Sequence, residues 1–356
     1  MKCPYFENCG GCYYSVSYEE QLNEKRRQLQ NIFARDITIN PSSVSLGYRH
    51  RMDYVFSFNK LGLRQRGNFR QVVDIEHCQL MSDEMNQVLK KIRSLLKKYK
   101  IEPYDYLKHS GYLRYVVLRE AKFSGELMVG FVTSNDNDEI IKVINELQAD
   151  CICWLVNDTK ADSSYGKVLK VWGKELEEDF DGVKLKISQN VFFQPNPVVA
   201  KEMIQKIRND TEGRVLDLYC GVGAISLYCA DSASDVVGVE SVPESVRCAK
   251  DNAKLNKIDA NFVCEDVSKY LNMPIGVDTI IADPPRRGLG RKVCRKILWK
   301  KPARIILISC NPLSLKKDLK FLEKKYNIRL LEAYDMFPYT KHIECLCVLE
   351  RKNFNS

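Results

Sequence analysis

The second half of the sequence alternates between apolar, strand-like runs and helix-like segments, and this alternation constrains the fold more than any other feature. From about Pro197 onward, the apolar runs 214–218, 235–239, 277–282 and 304–309 are each followed by a turn and then by an amphipathic stretch. Strands that alternate with helices form parallel sheets covered by helices on both faces. We therefore predict an α/β fold whose C-terminal domain is a doubly wound, mostly parallel sheet of the Rossmann-like type. Ligands of such sheets bind beyond the carboxyl ends of the strands.

The first half of the sequence has a less regular pattern, which predicts an α+β region. Its periodicities predict helices over 17–33, 82–100 and 136–147 and strands over 52–58, 112–119 and 127–132. A chain of 356 residues is long enough for roughly two or three domains. The expected domains are an N-terminal region 1–90, a central domain 91–187 that can form one domain with it, and a catalytic domain 188–356.

Composition and charge exclude several classes of protein. Apolar residues make up 45% and charged residues 28%, and the longest apolar runs have the length of strands, so we expect no membrane span. The N-terminus lacks the apolar core of a signal peptide, which predicts a cytoplasmic protein with reduced thiols. Fifty-five Lys and Arg against 46 Asp and Glu give a net charge of +9, which suits a polyanionic partner. No obligate protein partner is inferred.

The predicted strand ends carry residues typical of a nucleoside-cofactor site. The first strand runs into a glycine turn at 217–223 (DLYCGVG), which allows close approach to a ligand but lacks the third glycine of the dinucleotide fingerprint. Glu240 ends the next strand, where a carboxylate can accept both ribose hydroxyls. Asp266 follows the third strand, where it could receive an adenine amino group. A nucleoside cofactor without a pyrophosphate indicates S-adenosylmethionine.

The fourth and fifth strand ends carry the residues that could react. The fourth ends in the turn 283–288 (DPPRRG), and amine methyltransferases follow a similar Asp-Pro-Pro turn with an aromatic residue that stacks on the base. Arg286 occupies that position here, which argues against amine methylation. Cys310 ends the fifth strand, and a thiol at this edge suits methylation of a pyrimidine C5. A thiolate that adds to C6 makes C5 nucleophilic and is eliminated when a base removes the C5 proton. The alternative is an ordinary buried cysteine.

Three residues of the closing segment are candidates for that base. Glu344 opens an apolar strand, where a partly desolvated carboxylate would have a raised pKa suited to proton transfer. His342 and Asp335 are its rivals, and the residues alone leave the choice open.

Five sequence motifs in one order resemble the RNA uridine-C5 methyltransferases of the RumA/RumB/TrmA type, over nearly the whole chain. The motifs are FFQPN at 192–196, DLYCGVG at 217–223, DPPRRG at 283–288, SCNP at 309–312 and HIE at 342–344. The resemblance implies that Cys310 is the nucleophile and Glu344 the base. It also implies that the S-adenosylmethionine site is lined by Gln194, Tyr219, Glu240, Asp266 and Asp283.

Four cysteines outside that constellation form a metal-site pattern. Cys3, Cys9 and Cys12 have the spacing C-x5-C-x2-C in a glycine-rich stretch, and Cys78 is the distant fourth. Four thiolates suit zinc and a [4Fe–4S] cluster equally. The resemblance favours the [4Fe–4S] cluster, since cluster-bearing members of the family share this spacing. A fourth cysteine ligand indicates a fully ligated site that anchors the N-terminal arm, rather than the open iron of a radical enzyme. The remaining cysteines, apart from Cys310, are expected to be core thiols.

The positive charge is concentrated in two segments that could bind RNA. Residues 49–70 contain six Arg or Lys and one acid, with aromatic residues interleaved, and residues 286–301 contain eight Arg or Lys and no acid. Phosphate contacts combined with stacking rings hold single-stranded RNA. An ordinary strand hairpin with rings in the core explains the first segment equally well.

The resemblance also bears on the RNA. Larger relatives carry an additional N-terminal OB-like domain, which we expect to be absent here, and short cluster-bearing relatives act on large-subunit (23S) ribosomal RNA. We therefore expect ribosomal RNA as the substrate, with tRNA as the alternative. A third hypothesis is a metal-stapled RNA-binding protein without catalytic turnover.

Overall fold

The computed structural model describes residues 2–352 of the chain. Up to residue 187 the elements are, in chain order, α1 (Tyr18–Phe33), β1 (Thr38–Asn40), β2 (Arg51–Ser57), β3 (Lys60–Gln65), β4 (Asn68–Asp74), α2 (Asp83–Lys98), β5 (Leu113–Glu120), β6 (Leu127–Thr133), α3 (Ile141–Ile144), β7 (Cys151–Val156), β8 (Lys167–Gly173), β9 (Leu176–Phe180) and β10 (Val183–Ile187).

From residue 188 onward, helices and strands alternate as predicted. The elements are α4 (Pro197–Asn209), β11 (Arg214–Leu218), α5 (Ala224–Tyr228), β12 (Asp235–Glu240), α6 (Pro243–Asn256), β13 (Asn261–Cys264), α7 (Val267–Tyr270), β14 (Thr279–Ala282), α8 (Gly290–Lys300), β15 (Arg304–Ser309), α9 (Pro312–Leu322), β16 (Tyr326–Tyr334) and β17 (Glu344–Arg351).

The C-terminal elements form a sheet of eight strands in the order β1-β16-β17-β15-β14-β11-β12-β13. Its neighbouring strands are parallel except that β17 runs antiparallel to both β15 and β16. Apolar side chains of α4, α5 and α6 pack in one core, and those of α1, α8 and α9 pack in another. Helices therefore cover both faces, and the predicted α/β class with a Rossmann-like catalytic domain is confirmed.

Helix α1 and strand β1 belong to this sheet although they lie far from it in the sequence. Strand β1 pairs in parallel with β16, with Thr38 opposite Glu332. Leu29, Ile37 and Ile39 are buried in the core that also contains Ile305 and Leu307 of β15. The segment 18–40 thus packs with the catalytic sheet rather than with the strands that follow it.

The second large sheet has the order β4-β3-β2-β5-β6-β7-β8 and runs without interruption from residue 51 to residue 173. Helix α2 covers one face, where Leu89 and Ile92 pack against Val116 and Leu118 of β5. The expected boundary at residue 90 lies within α2, between strands of a single sheet, and this boundary stays a prediction. We keep the division near residue 187 as a prediction.

Local signals explain where most helices begin. Ser17 accepts from the backbone N–H of Glu20, whose side chain returns a bond to Ser17, a complete capping box. The Ser82 side chain caps α2 by accepting the backbone N–H of Met85. Asn196 and Asn311 cap α4 and α9, each before a proline in the first turn.

The helix predicted over 136–147 is wrong in extent. A 3₁₀ turn over Asp138–Ile140 leads into α3, which spans only Ile141–Ile144. Four of the seven residues in 138–144 are the β-branched Ile or Val, which disfavour a longer helix. In addition, Asn137, the residue before the 3₁₀ turn, makes no side-chain capping bond. In the described part of the chain, no helix has the length and apolar character needed to cross a bilayer.

Candidate active site

Cys310 lies at the carboxyl end of β15, where the chain turns into α9. Its thiol is half-buried, and the following Asn311 accepts the backbone N–H of Leu313 at 3.1 Å, which fixes the turn. Burial raises the pKa of the Cys310 thiol to about 11; the charges of Glu344 and Asp283 add to this rise, and Arg286 opposes it. The thiol is therefore close to two acids and one arginine.

Glu344 is the first residue of β17 and lies opposite Tyr334 of β16. The next residue, Cys345, pairs with Ser309 beside Cys310, so the antiparallel strand brings Glu344 to the carboxyl end of β15. The side chain is 4% exposed, and its Oε1 atom has no hydrogen-bond partner in the described structure. Burial, followed by the charge of Asp283, raises the pKa of Glu344 well above its usual range. Such a carboxyl group binds a proton more tightly than an exposed one does.

Asp283 follows β14 and is bound by a residue from outside the sheet. Gln194 Nε2 donates to Asp283 Oδ2 at 3.2 Å, and the Asp283 N–H donates to the Leu218 carbonyl at 3.3 Å. Burial raises the pKa of Asp283 to about 6, against the lowering effect of the Gln194 bond. The two motifs that contain these side chains therefore meet at one edge of the sheet.

The glycine turn after β11 is shaped by close packing. Gly221 and Gly223 have φ angles of +55° and +82°, which favour glycine. A Cβ atom on Gly223 would lie 2.9 Å from the Phe262 ring, and one on Gly238 of β12 would lie 2.5 Å from the same ring. These glycines let the turn sit tightly against the neighbouring strands.

The other acids expected at the cofactor site lie around this turn. Glu240 Oε1 accepts the N–H groups of Ser241 at 2.6 Å and Val242 at 2.9 Å, and its Oε2 accepts the Gly221 N–H at 3.4 Å. Asp266 is exposed, and its Oδ1 caps α7 by accepting the Lys269 N–H at 2.9 Å.

Tyr219 completes this arrangement of expected cofactor residues. It is half-buried at a φ of +64°, and burial raises the pKa of its phenol to about 12, modulated by Arg287 and Asp266. Tyr219, Glu240, Asp266 and Asp283 thus follow four adjacent parallel strands, at the edge where such folds bind ligands.

Asp217, next to the end of β11, is a buried acid that sequence reasoning did not single out. It is 1% exposed, the Ser226 hydroxyl donates to its Oδ2 at 2.5 Å, and its Oδ1 has no hydrogen-bond partner in the described structure. Burial raises the pKa of Asp217 to about 7, and the charges of Asp283 and Glu240 contribute. The sequence did contain one signal for this site, because Asp217 is the first residue of the glycine motif 217–223.

The two rival bases have other partners. Asp335 is fully buried and accepts from Lys25 Nζ at 2.6 Å in an ion pair. Arg286 Nη2 lies 3.4 Å from His342 Nδ1, and burial together with the Arg286 charge lowers the pKa of His342. Of the three candidates, Glu344 is the carboxyl group whose charge acts on Cys310.

The four N-terminal cysteines line one small cavity. Cys3, Cys9, Cys12 and Cys78 surround it together with apolar side chains. Burial raises the pKa of Cys12 to about 12 and that of Cys78 to about 11. Thiols in such surroundings are suited to a bound sulfur-ligated group, which stabilises their thiolate forms.

Within residues 2–352, no three His, Cys, Asp or Glu side chains are arranged to hold a metal ion. A cluster attaches each thiolate to a different iron, so its ligands lie farther apart than those of one ion. The four converging cysteines are therefore compatible with a cluster-sized group, and the [4Fe–4S] cluster stays a prediction.

The first basic segment, 49–70, is partly an ordinary hairpin. Tyr48, Tyr54 and Phe56 are buried, whereas Phe58 and Phe69 are 52% and 70% exposed. Two of its arginines are paired with acids, Arg51 with Asp53 and Arg64 with Asp162. The same segment lines a cleft of about 730 Å³ that reaches Phe192, Phe193 and Pro195, the neighbours of Gln194.

The second basic segment, 286–301, has more free charge. In the described structure none of its eight Arg and Lys side chains forms an ion pair. Arg291, Lys292 and Arg295 of α8 are exposed, and Trp299 is 65% exposed. This surface begins at the turn that contains Asp283.

A doubly wound sheet with a glycine turn and a row of acids beyond its strands is the architecture of an S-adenosylmethionine-dependent methyltransferase. Comparison with known proteins agrees: the family model described as "Methyltransferase small domain" matches residues 183–303, and "tRNA (Uracil-5-)-methyltransferase" matches residues 269–352.

The chain belongs to the RNA uracil-C5 methyltransferase family. It is 37% identical to the tRNA (uracil(54)-C(5))-methyltransferase of Pyrococcus furiosus and 38% identical to that of Pyrococcus horikoshii, in each case over 98% of this chain and 85% of the relative. The crystal structure of the Pyrococcus abyssi tRNA (uracil-54, C5)-methyltransferase with S-adenosyl-L-homocysteine superposes with a TM-score of 0.86 at 33% identity, over 98% of this chain and 87% of that one. The chain is thus an S-adenosylmethionine-dependent RNA uracil-C5 methyltransferase.

Proposed function

We propose that the enzyme methylates uridine C5 through a covalent bond between Cys310 and the pyrimidine ring. The Cys310 thiolate adds to C6, and the electron pair of the C5–C6 double bond moves towards the carbonyl at C4, so that C5 becomes nucleophilic. When bound, S-adenosylmethionine supplies the methyl group to C5. Glu344 then removes the C5 proton, the double bond reforms, and the sulfur–C6 bond breaks to release Cys310. The observation that carries this proposal is the half-buried Cys310 thiol at the end of β15 beside the buried Glu344, which the pairing of β15 with β17 brings to the same edge of the sheet.

The cofactor would be held by the edge of the sheet. Glu240 is the last residue of β12, where a carboxylate can accept the ribose hydroxyls, and Asp266 follows β13 on the side where the adenine would lie. Tyr219 offers a ring beside the glycine turn, and Asp283 with Gln194 offers polar groups towards the amino-acid end of the cofactor. These roles rest on the position of each residue after its strand and on the family motifs.

For the substrate we propose tRNA, at the uridine that corresponds to position 54. The support comes from relatives that are 37% and 38% identical over 98% of this chain and carry that activity in their names. Ribosomal RNA, which the sequence led us to expect, is kept as the second candidate because it rests on the cysteine pattern and on the expected lack of an OB-like domain.

The substrate proposal can be tested with labelled methyl groups. Purified enzyme with methyl-labelled S-adenosylmethionine should label a tRNA transcript made without modifications, and a transcript with cytidine at position 54 should stay unlabelled. A ribosomal RNA transcript is the comparison. Label that enters only ribosomal RNA would overturn the tRNA proposal, and RNA binding without any label would favour the hypothesis of an RNA-binding protein without turnover.

We further propose that Cys3, Cys9, Cys12 and Cys78 hold a [4Fe–4S] cluster. Their place around one small cavity supports this proposal. Protein purified without oxygen should be brown, with about four iron and four sulfide per chain from the cluster formula. Colourless protein with one zinc per chain would show that the alternative metal is bound.

The RNA would cross the two basic surfaces. The cleft beside Phe192–Pro195 leads to the edge that contains Gln194 and Asp283, and the free charges of α8 begin at the same turn. A target base must leave its stack to reach Cys310, which favours a loop nucleotide over a paired one.

A further inference from the structure

The loop between β16 and β17, residues 335–343, is held by side chains from the beginning of the chain. Lys25 of α1 donates from Nζ to Asp335 Oδ1 at 2.6 Å and to the carbonyl oxygen of Phe337 at 3.1 Å. Lys25 is 1% exposed and Asp335 is fully buried. A buried ion pair fixes the relative position of its two segments strongly, because separating them leaves an uncompensated charge in the interior.

Tyr339 lies at the centre of this loop, and both its backbone N–H and its backbone carbonyl form hydrogen bonds. Its N–H donates to Gln21 Oε1 of α1 at 2.6 Å, and its carbonyl accepts the N–H groups of Tyr13 at 2.7 Å and Tyr14 at 3.1 Å. Tyr339 has a φ of +63°, an unfavourable conformation for a tyrosine that persists only where surrounding contacts enforce it. These three hydrogen bonds supply such contacts.

The same loop touches the cysteine-bearing arm, residues 3–14. The Tyr48 hydroxyl donates to the Pro338 carbonyl at 3.0 Å. Tyr48 and Tyr339 share a small apolar cluster, against which Cys12 and Cys78 pack. The arm therefore lies against the loop through the hydrogen bonds of Tyr13 and Tyr14 and through the apolar contact of Cys12, and Tyr48 adds a bond from outside the arm.

At its other end the loop reaches the reacting groups. His342 contacts Arg286, which belongs to the turn that contains Asp283, and Glu344 is the next residue but one. The β17 pairing fixes the backbone of Glu344, whereas its Oε1 has no hydrogen-bond partner in the described structure. The loop ends at the residue before Glu344, so the position of the loop bears directly on where β17 begins and on where this carboxyl group lies.

We propose that helix α1 and the cysteine-bearing arm position the 335–343 loop for catalysis, with Gln21, Lys25 and Tyr48 as positioning residues for proton removal by Glu344. This inference rests on the proposed function, because the three residues can position the catalytic base only if Glu344 is that base. If the inference is right, removal of the C5 proton depends on the N-terminal arm, whereas addition of Cys310 to C6 depends on the end of β15.

The test separates these two steps with two substitutions and two matched controls. Gln21→Met removes the acceptor for the Tyr339 N–H, and Asn23→Leu is its control because Asn23 lies exposed on the same helix and accepts a side-chain bond from Arg26. Tyr48→Phe removes the bond to Pro338. Tyr326→Phe is its control, since the Tyr326 hydroxyl makes an equally buried bond to the Pro302 carbonyl at 2.7 Å, far from the loop in the sheet.

Two rates are compared for each variant. Trapping by RNA that contains 5-fluorouridine reports addition and methyl transfer, because fluorine at C5 cannot be removed as a proton, whereas steady-state turnover also includes proton removal. Gln21→Met and Tyr48→Phe should each lower the ratio of turnover to trapping by about fivefold, the factor that one net hydrogen bond is worth. The same variants should accumulate the denaturant-stable adduct on ordinary RNA.

An unchanged ratio in Gln21→Met and Tyr48→Phe, or an equal fall in both controls, would overturn the positioning role. Failure of the wild-type enzyme to trap fluorinated RNA would instead reject the proposed function, so the two failures are distinct.

Hydrogen–deuterium exchange tests the link to the arm without any activity. Cys12→Ala should increase the exchange of backbone amides in 337–342 by about fivefold or more, and should leave those of β12 and β13 unchanged. Exchange that rises equally in both regions would indicate general destabilisation and reject a specific link.

Discussion

Cys310 must become a thiolate in surroundings that oppose its ionisation. Burial and two neighbouring acids raise the pKa of its thiol to about 11 in the free protein, and Arg286 is the one nearby charge that lowers it. Sequence could place this thiol at the strand end but could not reveal the balance of charges, because Glu344 and Asp283 come from strands that lie elsewhere in the chain.

The raised pKa of Cys310 has a direct consequence for the pH dependence of adduct formation. The thiolate is the reactive form, and below a pKa of about 11 its fraction grows about tenfold per pH unit. Trapping by fluorinated RNA, measured under single-turnover conditions, should therefore rise with pH from about 7 to 9. A rate that is flat or falls over this window would show that the thiol is already ionised.

Substitution of the base should separate the steps of the reaction. Glu344→Gln keeps the shape of the side chain but cannot accept the C5 proton, so turnover should fall by roughly 10²–10⁴-fold while the covalent adduct accumulates on ordinary RNA. His342→Gln and Asp335→Asn serve as the comparison, and gel mobility in denaturant measures the adduct. If His342→Gln accumulates the adduct and Glu344→Gln turns over normally, the assignment of Glu344 is wrong.

Lys25 shows what residue patterns cannot reveal. In the sequence it is one of several charges on an amphipathic helix and would be expected in water. In the structure it is buried against Asp335, which lies 310 residues away in the chain. Nothing local in the sequence distinguishes this lysine from its exposed neighbours.

Among the elements, the strands β11, β12, β14 and β15 were predictable because each is a short apolar run before a turn. Strand β1 was not predicted, since three residues carry no periodic signal and its partner β16 is far along the chain. The hairpin β9–β10 was missed for a similar reason, because its burial alternates over only five residues per strand. The candidate site was predictable to the extent that its residues follow the predictable strands.

The position of β1 leads to a prediction about stability. Ile37 is buried in the catalytic core and Ile92 in the core under α2, although both lie within the first hundred residues. Ile37→Ala and Ile92→Ala should each cost about 2–5 kcal/mol. Hydrogen exchange should rise in β16 and β17 for Ile37→Ala but in β5 and β6 for Ile92→Ala. Identical exchange patterns in the two variants would mean that the chain unfolds as one unit.

At the scale of the whole molecule, the net charge of +9 is distributed unevenly. Arginines of the first basic segment are partly neutralised by acids, whereas those of α8 lie free beside the Asp283 turn. The total charge was readable from composition, but the pairing depends on residues such as Asp162 that only the fold brings close.

This distribution predicts which arginines bind RNA. The double substitution Arg291→Gln with Arg295→Gln should weaken tRNA binding and reduce the slope of log affinity against log salt by about 0.7 for each single-strand phosphate that the variant no longer neutralises. Arg208→Gln is the control, since Arg208 pairs with Asp231 beside a different cleft. Filter binding at several salt concentrations measures both. Equal slopes in the wild type and the double variant would place the RNA elsewhere.

The central claim is that Cys310 forms a covalent bond to the target uridine, and trapping measures it most directly. Enzyme, S-adenosylmethionine and tRNA with 5-fluorouridine at position 54 should yield one protein–RNA adduct that survives denaturant, with the nucleotide attached to Cys310 by peptide mapping. Cys310→Ala should yield none while it still binds RNA. An adduct that forms equally well in Cys310→Ala, or methylation of ordinary tRNA by that variant, would contradict the claim.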